Sequence, residues 1–205
     1  MAYFESIFDL LDDGWTPREG DGFSFGNYHD LIDWRVLKVE AGNILAIANN
    51  VIEWKPFDVE GGNDWEKSSL RKWLNEEFAP KAFISDPDEE TIDDQILVKN
   101  ENGDYVSLLN YSNAEGYCDI LGELSGTSAN LQLAYEEEFG DWYEGGNLAY
   151  WLSPENGRFA YVDCYGDASI LTEEDMAEEY WKGKNDFSKP LGVRPAIWIN
   201  TKTLL

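Results

Sequence analysis

Hydrophobic and polar positions vary in a strand-like pattern in two neighbouring segments, residues 33–40 and residues 43–52, which flank the dipeptide Ala41-Gly42. These patterns predict two strands, and the small residues between them predict a hairpin turn. The second segment is more continuously apolar than the first. This difference indicates that the second strand occupies a more central place in its sheet.

Residues 64–78 instead have a helical period, in which apolar side chains form a stripe on one side of the helix and charged residues occupy the opposite side. The stripe consists of Leu70, Trp73, Leu74 and Phe78. Asn63 or Asp64 can cap the helix, and Pro80 is expected to end it. Shorter helical patterns predict further helices at residues 1–13, from Ser85, from Ser112 to about residue 124, and from Thr172. Ser112 with Glu115, and Thr172 with Asp175, have the spacing of a capping box.

Turn signals separate several further strand patterns. Asn102-Gly103 lies between two apolar runs and predicts a hairpin. Residues 149–171 read as strand, Pro-Asn-Gly turn, strand, Gly-Asp turn and strand, and residues 192–200 read as one final strand. Strands with segregated helices, rather than alternating strand and helix units, predict the α+β class.

Composition and charge narrow the class of protein further. The chain has 205 residues, 43% of them hydrophobic, with nine Trp, so we expect one globular domain over residues 1–205. The 15 basic and 41 acidic residues leave a net charge of −26. Such a field repels phosphate backbones and anionic lipids, so we expect neither a nucleic-acid nor a membrane partner. The first residues do not resemble a signal peptide, and no apolar run has the ~20 residues of a membrane span, so we expect a cytoplasmic location.

Few residues are available for nucleophilic or metal chemistry. The single histidine, His29, excludes a His-rich metal centre and nearly every relay that needs a second histidine. The two cysteines, Cys118 and Cys164, lie far apart along the chain with no basic neighbour to lower a thiol pKa. We therefore assign no catalytic residue, and whether the two cysteines pair stays open.

Three groups of segments carry a resemblance to a known family. They are IDWRVLKVE with LAIANNVI, WEKSSLRKWLNEEFAPKAF, and the pair WLSP and GVRPAIWI. The chain resembles an uncharacterised bacterial domain family that shares the pattern W-S-x-LR-x-WLN-x-x-F and ends in GVRPALWI. The positions that match the helical pattern are Trp65, Ser68, Leu70, Arg71, Trp73, Leu74, Asn75 and Phe78.

The resemblance covers residues 23–200 and leaves residues 1–22 as an N-terminal extension. It implies a C-type-lectin-like fold, since the family is similar in fold to the formylglycine-generating and retroelement-encoded domains of that class. The formylglycine-generating chemistry uses two closely placed cysteines, which this chain lacks. The resemblance therefore implies a fold and no activity.

In a fold of this kind the ligand face comes from the segment around residues 141–167, where aromatic and polar side chains alternate. We expect ligand contacts there from Trp142, Tyr143, Asn147, Tyr150, Asn156, Arg158, Tyr161, Asp163 and Tyr165. Calcium binding by the oxygen-rich loops is an open alternative, and the sequence indicates no other metal or cofactor. Four residues are expected to hold the fold together instead: Arg71, Trp73, Arg194 and Trp198.

The sequence thus favours a non-catalytic binding module that recognises a glycan, a peptide or a protein. One alternative is an enzyme or protein-modifying factor that uses a cleft of carboxylates. Such an enzyme would need a buried pair of acids. Another alternative is a structural accessory protein with one contiguous apolar patch.

Overall fold

The computed structural model describes residues 7, 10, 13–84, 92, 96–117, 119–120, 143–144, 147–158, 160–163, 165–170 and 190–202. The chain divides into two compact units. The first contains residues 1–49, 73–107 and 195–205, and the second contains residues 50–72 and 108–194. Both are built on mainly antiparallel sheets, so the predicted α+β class is confirmed at this level.

Strands are numbered in chain order. The six-stranded sheet of the first unit contains β1 (Gly22–Tyr28), β2 (Asp30–Glu40), β3 (Asn43–Ala48), β5 (Leu97–Val98), β6 (Val106–Ser107) and β13 (Ala196–Asn200). The five-stranded sheet of the second unit contains β4 (Glu53–Pro56), β9 (Tyr150–Trp151), β10 (Ala160–Val162), β11 (Ala168–Ile170) and β12 (Pro190–Val193). A two-stranded ribbon consists of β7 (Tyr143–Glu144) and β8 (Asn147–Leu148).

The predicted hairpin at Ala41-Gly42 is confirmed, because β2 and β3 pair antiparallel on either side of it. β3 lies between β2 and β13, as its continuous apolar pattern indicated. Both turn residues have positive φ, 53° for Ala41 and 86° for Gly42. Two consecutive positive φ values are typical of the type I′ turn, which matches the right-handed twist of paired strands.

Replacing Ala41 by Asn should stabilise the first unit. A non-glycine residue at positive φ costs about 1–2 kcal/mol, and Asn tolerates this conformation better than Ala. We expect the free energy of unfolding to rise by about 1 kcal/mol in urea titrations. Glu40→Asn, which places the same side chain one residue earlier on the strand, is the control and should not stabilise. A loss of stability in Ala41→Asn would contradict the turn assignment.

The turn predicted at Asn102-Gly103 is present, but its flanking strands do not pair with each other. β5 pairs with Trp198 and Ile199, and β6 pairs with Ala196 and Ile197, so the two strands lie end to end along β13. Residues 99–105 therefore form a loop between β5 and β6, which both lie along the same edge of β13. The loop is closed by hydrogen bonds from Asn100 N to Asp104 O at 2.9 Å and from Gly103 N to Asn100 O at 3.0 Å.

The prediction of one strand over residues 192–200 is wrong. The segment divides into β12 and β13, which belong to different sheets. Pro195 stands at the break, and proline has no N–H with which to continue a ladder. Its carbonyl accepts a hydrogen bond from Ala48 N at 2.9 Å, and β13 begins with the next residue.

The main helical segment continues past the end predicted for it. Asp64 caps a 3₁₀ turn at Trp65–Lys67, and α1 (Ser69–Trp73) is followed by a π-helical turn, Leu74–Phe78, and by α2 (Ala79–Phe83). Pro80 thus does not stop the helix. It occupies the first turn of α2, directly after the wider π turn, where a missing N–H breaks no helical hydrogen bond.

Aromatic side chains supply much of the core of the second unit. The ring centroids of Phe57 and Trp151 are 5.6 Å apart, and Trp151 Nε1 donates to Lys55 O at 2.8 Å. Tyr150, Tyr161 and Val193 are also buried. Gly192 lies between β9 and β4, where a Cβ atom would come within 2.9 Å of Ala149 O and 3.0 Å of both Val51 methyl carbons.

Replacing Gly192 by Ala should therefore destabilise the second unit. The nearest atom is a backbone oxygen, which cannot rotate away, so the strands must separate slightly. Overpacking of this kind costs about 1–3 kcal/mol, measurable as a lower midpoint of urea unfolding. Gly116→Ala is the matched control, because a Cβ atom there has no neighbour within 4 Å. Equal effects from the two substitutions would contradict the close packing at Gly192.

Several predicted elements lie outside the described residues. These are most of the helix at residues 1–13, of which Ile7 and Leu10 are helical, the turn from Ser85, the end of the helix towards residue 124, and the helix after Thr172. Cys118 and Cys164 lie outside them as well. Among the described residues, no helix combines the length and the apolar composition that crossing a bilayer requires.

Candidate functional site

The predicted Pro-Asn-Gly turn of the second unit is a tight hairpin turn, which we call the 155–158 turn. Glu155 and Arg158 face each other in an antiparallel bridge, and Arg158 N donates to Glu155 O at 3.1 Å. Asn156 and Gly157 have φ of 55° and 69°. Asn-Gly is the preferred pair for two consecutive positive φ values, so the local sequence accounts for this conformation. The side chains of Asn156 and Arg158 are exposed.

Two side chains from distant parts of the second unit hold the 155–158 turn. Asn63 donates from its amide to Gly157 O, across 94 positions of the chain. Ser112 Oγ donates to the Glu155 carboxylate, with distances of 3.2 Å and 3.3 Å to the two oxygens. Two contacts thus hold the turn, while the side chains of Asn156 and Arg158 are exposed.

The loop that carries Asn63 is closed by an aspartate. Asp58 accepts hydrogen bonds from Gly62 N at 2.9 Å and from Ser69 N at 3.3 Å, and Gly61 N donates to Asp58 O at 3.0 Å. Gly62 packs against this carboxylate so closely that a Cβ atom would lie 2.6 Å from Asp58 Oδ2. These bonds fix the path of the chain into Asn63.

An exposed ion pair joins two of the residues directly after Asn63. Lys67 Nζ lies 2.6 Å from Asp64 Oδ2, and this hydrogen bond holds the pKa of Asp64 below its ordinary value and raises the pKa of Lys67. Because the pKa of Asp64 is lowered in the folded protein, its pair with Lys67 stabilises the 3₁₀ turn at pH values above the pKa of the unfolded carboxyl. This contribution is lost as pH falls through the folded pKa. Trp65, between the two, is half-buried with its ring 6.0 Å from that of Phe57.

Ser112, which bonds to Glu155 of the 155–158 turn, belongs to the helix α3 (Tyr111–Gly116). The prediction that Ser112 caps this helix is wrong, because Asn110 is the N-cap and accepts a hydrogen bond from Asn113 N at 2.8 Å. Asn110 also bridges to Ser153, whose N–H donates to Leu109 O at 2.8 Å. The Ser112 hydroxyl is therefore available to hold Glu155.

A second turn joins β10 and β11 and contains Asp163 and residues 165–167. Asp163 accepts hydrogen bonds from Tyr165 N at 2.8 Å and Asp167 N at 3.0 Å, and Tyr165 is 65% exposed. The same bonds occur in the loop of the first unit, where Asn100 accepts from Asn102 N and Asp104 N. Both turns have Gly with positive φ at the fourth position. The Asp163 carboxylate thus closes its own turn, while the Tyr165 side chain is exposed to solvent.

Two of the other predicted ligand residues are buried in the second unit. Tyr150 and Tyr161 are 1% and 5% exposed, and the ring of Tyr150 packs under the guanidinium of Arg194 at 4.7 Å. We therefore leave both tyrosines out of the candidate surface. Trp142 lies outside the described residues, as do the side chains of Tyr143 and Asn147.

The four residues predicted to hold the fold have the following surroundings. Arg71 is half-buried and donates from Nη1 to Glu66 O at 2.9 Å, and Arg194 is 1% exposed. Trp73 is buried and stacks on Phe78 with centroids 5.6 Å apart. Trp198 is half-buried in the middle of its sheet, between β3 and β5.

Acidic side chains of the described residues do not form a cleft of paired buried carboxylates. Asp104 is the one acid among the described side chains that is buried, and the other acids are half-buried or exposed. The described residues also contain no group of three or more His, Cys, Asp or Glu side chains arranged to hold a metal ion. In the oxygen-rich loops, the Asp64 carboxylate is bonded to Lys67 and the Glu155 carboxylate to Ser112.

The profile of a domain family of unknown function, DUF6273, matches residues 41–201. The chain belongs to the DUF6273 family. The match contains the helical pattern around Trp73 and the closing GVRPAIWI, on which the resemblance to an uncharacterised family depended. Comparison with the curated proteins and with the solved structures found no match. Membership in the DUF6273 family therefore does not indicate an activity for this chain.

Three exposed polar residues of the DUF6273 domain now lie together by direct contact or chain adjacency: Asn63, Asn156 and Arg158. With the half-buried Trp65, they define what we call the braced surface. Sequence reasoning included Asn156 and Arg158 but missed Asn63 as a site residue and Ser112 as a brace. The signal for Asn63 was its place after Gly61-Gly62 and before a helix, which we interpreted only as a cap.

Proposed function

We propose that this DUF6273 domain is a non-catalytic binding module of C-type-lectin-like fold, which recognises a glycan, peptide or protein partner through the braced surface. The observation that carries the proposal is the 155–158 turn. Asn63 and Ser112 hold its backbone and its Glu155 side chain, so Asn156 and Arg158 face solvent from a preorganised support. Preorganisation lowers the entropy that binding must overcome.

Two further observations support the proposal. The resemblance implied that the ligand face comes from residues 141–167, and the 155–158 turn lies in that segment. Trp65 offers a partly exposed aromatic ring two residues after Asn63, backed by Phe57. Binding sites commonly combine an apolar surface with a few placed polar groups. The mainly antiparallel sheets are also consistent with a lectin-like architecture.

A glycan array and a peptide library, each probed with the wild-type protein and two variants, test the proposed function. Asn156→Ala with Arg158→Ala should weaken binding of any captured ligand at least tenfold. The matched control is Asn102→Ala with Arg18→Ala, which removes the same two residue types from exposed positions of the first unit. This control should bind as the wild type does. Blank screens at high protein concentration, or equal loss in both variants, would overturn the proposal.

A further inference from the structure

Arg158 is an exposed cation that the acidic residue opposite it in the turn does not neutralise. Glu155 stands directly opposite it in the antiparallel bridge, where opposite charges commonly pair across strands. The Glu155 carboxylate instead accepts a hydrogen bond from Ser112. Arg158 forms no ion pair with any acidic side chain that the structure describes, in a chain with 41 acids and 15 bases.

Arg158 and two neighbouring asparagines are rich in hydrogen-bond donors. The guanidinium of Arg158 offers five N–H groups in a planar fork. The Asn156 amide lies two residues away in the same turn, and the Asn63 amide, which uses one N–H on Gly157 O, keeps a second N–H. The three side chains offer more donors than acceptors, so they suit a ligand group that only accepts hydrogen bonds.

Charge favours a carboxylate over a phosphate monoester at this position. The planar guanidinium can bond either group through two parallel hydrogen bonds, so its geometry does not distinguish them. The net charge of −26 repels every anion, and the repulsion grows with the charge of the ligand group. A monoanion is therefore favoured over the nearly doubly charged phosphate monoester.

We infer that Arg158 anchors a carboxylate of the ligand, with the Asn156 amide as a second donor. This inference rests on the proposed binding function and names the chemical group that the braced surface selects. A sugar acid and the C-terminus of a peptide both present this group.

Matched pairs of probes test the inference by titration followed in ¹H–¹⁵N NMR spectra. One pair is methyl glucuronide and its uronamide, and the other is an acetylated dipeptide with a free or an amidated C-terminus. We expect the acid of at least one pair to bind at least tenfold more tightly than its amide and to shift the Arg158 Nε–Hε signal. The pair that responds identifies the source of the carboxylate.

Substitutions of Arg158 separate the effect of its positive charge from the effect of its planar guanidinium geometry. Arg158→Gln should bind acid and amide equally, whereas Arg158→Lys keeps the charge and should lose about fivefold because the fork is absent. Arg18→Gln, at an exposed arginine of the first unit, should change nothing.

The outcomes for the two proposals are distinguishable. Equal binding of acid and amide by the wild type, or an unchanged preference in Arg158→Gln, overturns the carboxylate anchor. The same holds if neither acid binds at millimolar concentration. The binding function itself survives these results if the glycan or peptide screen captures a ligand that Asn156→Ala with Arg158→Ala releases.

Discussion

Trp34→Ala is expected to lower the free energy of unfolding by about 3–5 kcal/mol, the usual cost of deleting a large buried aromatic side chain. Trp34 is fully buried in β2, where it faces Phe23 of β1 on one side and Ala48 of β3 on the other. Its ring lies 6.1 Å from that of Phe83, and its Nε1 donates to Phe25 O at 2.7 Å. Urea unfolding followed by far-UV circular dichroism measures the change.

Two companion variants separate packing from hydrogen bonding at this position. Trp34→Phe keeps an aromatic ring but leaves Phe25 O without its indole donor, so we expect a smaller loss of about 1–3 kcal/mol. Trp65→Ala removes the same residue type from a half-buried position and should cost less than Trp34→Ala. If Trp34→Ala lowered the free energy of unfolding by less than Trp65→Ala does, Trp34 would not be central to the core of the first unit.

Asn75→Ala is expected to lower the free energy of unfolding by about 2–3 kcal/mol, because it removes three hydrogen bonds of about 0.5–1.5 kcal/mol each. Asn75 lies in the π-helical turn and holds the base of the loop at residues 99–105. Its Oδ1 accepts from Tyr105 N at 3.0 Å and Val106 N at 3.1 Å, and its Nδ2 donates to Val106 O at 2.9 Å.

Hydrogen exchange gives this prediction a local readout. The amides of Tyr105 and Val106 should exchange faster in Asn75→Ala than in the wild type, since each loses its acceptor. Asn102→Ala, at the exposed tip of the same loop, is the control and should change stability by less than about 0.5 kcal/mol. Unchanged exchange at Tyr105 and Val106 would show that Asn75 does not hold the loop.

Asn75 also gives a physical account of the helical family pattern. The asparagine of W-L-N bonds to β6, while Trp73 and Phe78 stack on each other on the same helical segment. Tyr28 joins them, with its ring 5.1 Å from Phe78 and 6.0 Å from Trp73. Trp73, Asn75 and Phe78 therefore have structural contacts in the first unit. Trp65, the first residue of the same pattern, belongs to the braced surface of the second unit.

Local signals in the sequence were sufficient for the turns. Ala41-Gly42, Asn102-Gly103 and Asn156-Gly157 all form turns, because positive φ is a property of the residues themselves and of their immediate neighbours. The π turn before Pro80 and the division at Pro195 were not predictable in this way. Each depends on what the surrounding elements require of the backbone.

The sequence by itself determined the α+β class, the strands beside the turns and the position of Asn156 and Arg158 in an exposed hairpin turn. Only the tertiary structure decided that Tyr150 and Tyr161 are buried and that Glu155 bonds to Ser112 rather than to Arg158. The reason is that a turn is specified by adjacent residues, whereas burial depends on how distant segments pack. The two side-chain contacts of the 155–158 turn likewise join residues 43 and 94 positions apart. Because the Glu155 carboxylate makes such a distant contact, Arg158 has no ion pair with it.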